Sequence, residues 1–176
     1  MLYALRAKIG ERRMNLLCHS MRCYALGYGV ETWLKGQSPA QPLFDEGILA
    51  AGDEIATTFT EKSGKRLSNL RRLGREITVY YNWCDIAMHL SRLVNWLFHL
   101  GCDGPPNKAD IKTFPAKIYE FVDCDGLTDC IGHGADRTHQ YYRQSPTVRA
   151  DITASLAARI PVRPKFDPVG NFYSFV

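Results

Sequence analysis

Cys124, Cys130, His133 and His139 share a glycine-rich stretch. Thiolates and imidazoles of this kind can hold zinc tetrahedrally. The spacing is unlike a compact zinc module, whose cysteines stand about two to four residues apart, because five residues separate Cys124 from Cys130. The four are weak metal candidates, and no cofactor is expected. A Cys124–Cys130 disulfide is the alternative in an oxidising compartment. The chain has six cysteines in no regular framework and no secretory signal, so free thiols are the expectation.

Asp85, His89 and Arg92 stand at i, i+4 and i+7, where one helix face brings them within reach of one another. They could serve as an acid/base pair in a pocket. No nucleophile accompanies them, which favours a polar seam packed against another polar surface. Lys65, Arg66, Arg71, Arg72 and Arg75 form a basic run that could meet RNA phosphates or anionic lipid headgroups. No Gly-x-Ser-x-Gly elbow, phosphate loop or dinucleotide fingerprint is present. Nothing here favours catalysis.

The elements that would position these residues read as helices. Leu2 to Leu26 predicts a first helix ended by Gly27 and Gly29. Pro42 to Gly64 predicts a second, with Phe44, Ile48, Ala51, Ile55 and Phe59 as its apolar stripe. The dominant expectation is a long central helix from about Arg66 to Leu100. Trp83, Leu90, Leu93 and Leu97 mark one apolar flank, and Cys84, Val94 and Phe98 mark the opposite one. Such a helix is apolar around too much of its circumference to stand in water uncovered. Pro115 to Val122 predicts a short helix, and Ser145-Pro146 starts another that runs to about Ile160. The fold class is therefore mainly α: one irregular helical domain over 1–160 and an extended tail over 161–176. Phe172, Tyr173 and Phe175 make that tail a strap against a surface rather than a solvated end.

The chain has 176 residues, 45% of them hydrophobic, and a formal net charge of +4. That excludes wholesale disorder, and it is mild for a dedicated nucleic-acid binder. No stretch is apolar and uncharged for long enough to span a membrane. The amino-terminal segment carries Arg6, Lys8, Arg12, Arg13 and Arg22 against one acid, Glu11. An Arg-rich, acid-poor start has the composition of a mitochondrial presequence, with a basic surface helix as the commoner alternative, and the expected location is intracellular, in the mitochondrion. The reading is a non-catalytic accessory or structural subunit of a larger assembly, such as a mitochondrial inner-membrane complex. Its partners would be other protein subunits or copies of itself. The alternatives are an RNA-associated helical protein of ribosomal type and a small metal protein or enzyme.

Overall fold

The computed structural model describes residues 2–34, 42–59, 66–95, 98–106, 114–115, 118–131, 134–159 and 171–175. A parallel sheet of five strands runs through them: β1 (Asn15–His19), β2 (Phe44–Ala50), β3 (Gly74–Tyr81), β4 (Tyr119–Asp123) and β5 (Phe172–Ser174). The strands lie side by side in sequence order. Helices α1 (Leu2–Ile9) and α2 (Met21–Leu34) flank β1 in the chain. Helices α3 (Ile86–Asn95) and α4 (Leu100–Asp103) follow β3. Helices α5 (Gly134–His139), α6 (Tyr141–Gln144) and α7 (Pro146–Leu156) follow β4.

The fold is thus α/β, and the mainly α, all-helical expectation is corrected. The segment expected to form one helix from Arg66 to Leu100 holds a short 3-10 turn (Leu70–Arg72), then β3, then α3. Residues 74–81 read Gly-Arg-Glu-Ile-Thr-Val-Tyr-Tyr, rich in the β-branched and aromatic types that fit a pleated surface. A parallel strand covered on both faces is apolar at nearly every position, so it satisfies a helical spacing as readily as an extended one. The same confusion explains Phe44–Ala50 and Tyr119–Asp123, which are strands where helices were expected. The expected first helix is broken as well. Gly10, at φ 62°, follows α1, and β1 comes before α2 begins. Helix α2 then runs through Gly27, where a stop was expected; a Cβ there would come within 2.8 Å of the Arg66 Cβ. The helix expected at Ser145 is α7, and the Ser145 Oγ accepts the Val148 N–H as its cap.

Two apolar layers cover the sheet. On one face Cys23 and Val30 of α2 pack with Leu49, Ile77, Val79, Phe121 and Phe172. Phe59, Phe114 and Tyr119 add edge-on ring contacts at centroid distances of 5.3 to 6.1 Å. On the other face Tyr141, Val148 and Ile152 pack on Ile48, Ala50, Tyr80 and Val122. Arg6 of α1 reaches the Asp45 carboxylate at 2.8 Å, which ties the first helix to β2. Among the described residues no helix is long and apolar enough to cross a membrane.

Candidate active site

In a parallel sheet the loops beyond the carboxyl ends of the strands meet on one edge, where α/β proteins hold ligands. Here the loops after β1, β2, β3 and β4 converge on Ser20, Asp53, Asp85 and His139.

Strand β1 ends at His19, and α2 starts at Met21. Ser20 alone makes the turn, at φ 53°. A non-glycine residue in the left-handed region costs about 1 to 2 kcal/mol and must be held there. The Ser20 N–H donates to the Ala50 carbonyl at 3.2 Å. The Ser20 carbonyl accepts from Cys23 N–H at 2.9 Å and Asp53 N–H at 3.2 Å. Asp53 is fixed in turn: the Ser91 hydroxyl donates to its carboxylate at 3.0 Å, and His99 Nδ1 lies 2.9 Å from the same oxygen. The close approach of His99 is the main reason the Asp53 carboxyl is held below its ordinary value. A short backbone ladder stiffens this loop, with Leu100 N–H donating to Glu54 (2.7 Å) and Gly101 N–H donating to Gly52 (2.9 Å). A Cβ on Gly101 would lie 2.3 Å from the Ala51 carbonyl carbon, so only glycine fits.

Asp85 follows β3 and is fully buried. One carboxylate oxygen accepts the Met88 N–H at 3.1 Å and so caps α3. The other accepts Nδ1–H of His139 at 2.8 Å. His139 ends α5, on the loop after β4. Its backbone carbonyl accepts His19 Nε2–H at 3.1 Å, and the two rings pack at 4.6 Å. Burial is the largest influence on His19 and pulls it below its ordinary value, so this ring is a neutral donor at pH 7. Tyr141 pins the same loop to the sheet. Its hydroxyl donates to the Tyr80 carbonyl at 2.8 Å and accepts Ala51 N–H at 3.0 Å.

With Nδ1–H committed to Asp85, His139 presents the lone pair of Nε2. Neither Nε2 nor the Ser20 hydroxyl has another hydrogen-bond partner among the described residues. A cleft of about 490 Å³ lies on the His139 side, with Cys84, Ile86, Leu127, Cys130, Arg137 and Thr138, the residue before His139, in its wall. The arrangement has the parts of nucleophilic acyl transfer: a serine, a base and an acid that fixes the base's tautomer.

The residues singled out from sequence are dispersed. Asp85 and His139 meet, although the sequence assigned them to different clusters. His89 turns away and donates to the Trp83 carbonyl at 2.6 Å, and Arg92 pairs with Asp103 at 3.4 Å. Cys124 is buried beneath the second face, and Cys130 is half-buried in the cleft. All six cysteines are free thiols, and among the described residues no group of three His, Cys, Asp or Glu is placed to hold a metal ion. Of the basic run, Arg66 is bound to Glu54 at 2.8 Å and lies over the Tyr24 and Tyr28 rings, each at 4.4 Å. Arg75 on β3 lies 3.6 Å from Asp45, and Arg71 and Arg72 sit on the 3-10 turn. Trp83, Leu90, Leu93 and Phe98 are exposed. Phe172 is buried in the sheet, Tyr173 donates to Glu120 at 3.3 Å, and Phe175 packs against the second layer. Lys65, Leu97 and His133 lie outside the described residues.

No protein-family model, curated protein or solved structure matches the chain. The site therefore rests on its own geometry.

Ser20 is the residue that sequence reasoning missed. Its surroundings read Cys18-His19-Ser20-Met21-Arg22, with Cys and Arg where an elbow motif has glycines. Those glycines relieve crowding around a sharp turn. Here, among the described residues, β1 has a strand neighbour on one side only and Arg22 is exposed, so the second position has room for a side chain. The available signal was an apolar run, Leu16-Leu17-Cys18, entering His-Ser ahead of a helix. It was hidden because Leu2 to Leu26 read as a single helix.

Proposed function

We propose that this chain is a serine hydrolase that cleaves carboxylic esters, or related acyl compounds, through a covalent acyl-enzyme. Ser20 is the nucleophile, His139 the general base and then acid, and Asp85 the group that orients and charges against His139. The observation that carries this reading is the His139 Nδ1 to Asp85 bond of 2.8 Å on the same sheet edge as a serine held at φ 53° in a strand-to-helix turn. Chain order supports it too: Ser, Asp, His is the order of the α/β-hydrolase arrangement.

Catalysis follows from these groups. Ser20 Oγ attacks the acyl carbon while its proton passes to His139 Nε2, and Asp85 stabilises the imidazolium that forms. The oxyanion gains from the amino end of α2, where Met21 N–H has no carbonyl within the helix to bond. The carbon–oxygen ester bond then breaks, and His139 returns the proton to the departing alkoxide. A water repeats the sequence: His139 takes its proton, its oxygen attacks the acyl-serine, and Ser20 leaves with the proton restored.

The other readings have less in their favour. The subunit reading drew on a long helix that is a strand and a shorter helix, and the RNA reading drew on arginines of which two are engaged with Glu54 and Asp45. The hydrolase reading is tested with a fluorophosphonate probe, which phosphonylates activated serines with loss of fluoride. The expected result is one adduct, mapped by mass spectrometry to the peptide bearing Ser20. Absence of the adduct, or its appearance on another serine, rejects the assignment.

A further inference from the structure

Helix α3, which begins one residue after Asp85, leaves most of its large apolar side chains on the outside. Its polar residues point to the protein: Ser91 donates to Asp53, and Arg92 pairs with Asp103. Of its large apolar residues Met88 is buried, while Ile86, Leu90, Leu93 and Val94 face outward. Ile86, Leu90 and Leu93 repeat at i, i+4 and i+7 on one face, and Leu93 is 72% exposed. Two other segments that follow strand carboxyl ends on the same edge of the sheet carry exposed apolar residues. Met21, next to Ser20, is 70% exposed, and Ile131, on the loop that leads to His139, is 71% exposed. Ile86 joins the α3 face to the cleft, since it lines the wall and its N–H donates to the hydroxyl of Thr138, the residue before His139.

The segments that follow β1, β3 and β4 thus each carry a member of the Ser-Asp-His set and an exposed apolar side chain: Met21 and Ile86 adjoin Ser20 and Asp85 in the chain, and Ile131 precedes His139 by eight positions. Scattered single apolar residues need no explanation, but apolar residues gathered around a reactive set do. We propose that these residues form a rim that receives the acyl part of the substrate, so that the protein prefers esters of apolar, medium-to-long chains over acetyl esters. The inference rests on the hydrolase reading. It assigns Ile86, Leu90 and Leu93 to the choice of acyl group and leaves the bond-breaking steps to Ser20, His139 and Asp85.

The test compares p-nitrophenyl acetate, butanoate and octanoate, each below its micellar concentration, alongside fluorophosphonate labelling of the same preparation. A fully buried methylene contributes about fourfold. Partial cover by an open rim should raise kcat/KM at least about tenfold from butanoate to octanoate. The Leu90→Ser/Leu93→Ser variant changes two exposed side chains and should fold. In it the octanoate-to-acetate ratio of kcat/KM should fall by about tenfold. A flat chain-length series in protein that labels at Ser20 overturns the acyl-chain inference alone. An unchanged ratio in the variant does the same. Failure of wild-type protein to label overturns the hydrolase reading and this inference with it.

Discussion

At the carboxyl end of the strands Asp85 is fully buried and faces an imidazole, His139, at 2.8 Å. At the amino end Glu46 is almost as deeply buried, at 2% exposure, but the residues that neighbour it across β3 and β4 are carboxylates, Glu76 and Glu120. Thr78 donates a hydrogen bond to Glu46, at 3.0 Å. Burial above all, with the two acids adding to it, pushes Glu46 up to about 7 against the Thr78 bond. Both ends hide a carboxyl group from water. Among the described residues, the carboxyl end gives it an imidazole that can carry the opposite charge, and there a nitrogen lone pair and a hydroxyl are left without a hydrogen-bond partner. Buried polarity alone is therefore a poor marker of a site; buried polarity that leaves a reactive atom uncommitted is a better one.

The sharpest way to break this comparison is Ser20→Ala. Ester hydrolysis should fall by about a millionfold if Ser20 and His139 act as a unit, while the melting temperature stays within a few degrees of wild type. Retained turnover would remove the distinction between the two ends. Asp85→Asn comes next. The amide can still cap α3, but it can no longer stabilise the imidazolium or enforce its tautomer, so kcat should drop about ten-thousandfold in steady-state kinetics.

Glu46→Gln probes the other end, by stability rather than rate. The native Glu46 binds its proton more tightly than the unfolded chain, with a value of about 7 against 4.5. Below pH 4.5 both states are protonated and the group has no effect. Stability is lost as pH rises through that interval, reaching about 3 kcal/mol above pH 7. Urea unfolding should find Glu46→Gln more stable than wild type by about that amount at pH 8, and the two should converge at pH 4. The smallest effect is expected at Asp53→Asn, which keeps the backbone bond to Ser20 and weakens the hold of His99. A rise in KM of less than twofold with kcat down about tenfold would match a slight misplacement of the nucleophile.

What the sequence disclosed follows the same division. Asp85 reads as an acid on a helix and His139 as an imidazole in a glycine-rich loop, but their partnership spans 54 positions and depends on the sheet order. Periodicity reports local geometry only. The Ser145-Pro146 helix start was legible because its signal is a local cap. Strands β2, β3 and β4 were not, because burial on both faces erases the alternation that identifies a strand at the surface. Once β3 was read as part of a helix, Asp85 fell in mid-helix instead of at a strand end. Without β1, the strain at Ser20 had no way to register.

The place of β1 at the margin of the sheet has a consequence for how the protein fails. Among the described residues it pairs along one side only, so the strand that leads to the nucleophile has half the lateral support of β2 or β3. On warming, amide hydrogens of Leu16 and Cys18 should exchange before those of Ile48 and Val79. Catalytic competence should then fade at a temperature where ellipticity still reports an intact domain.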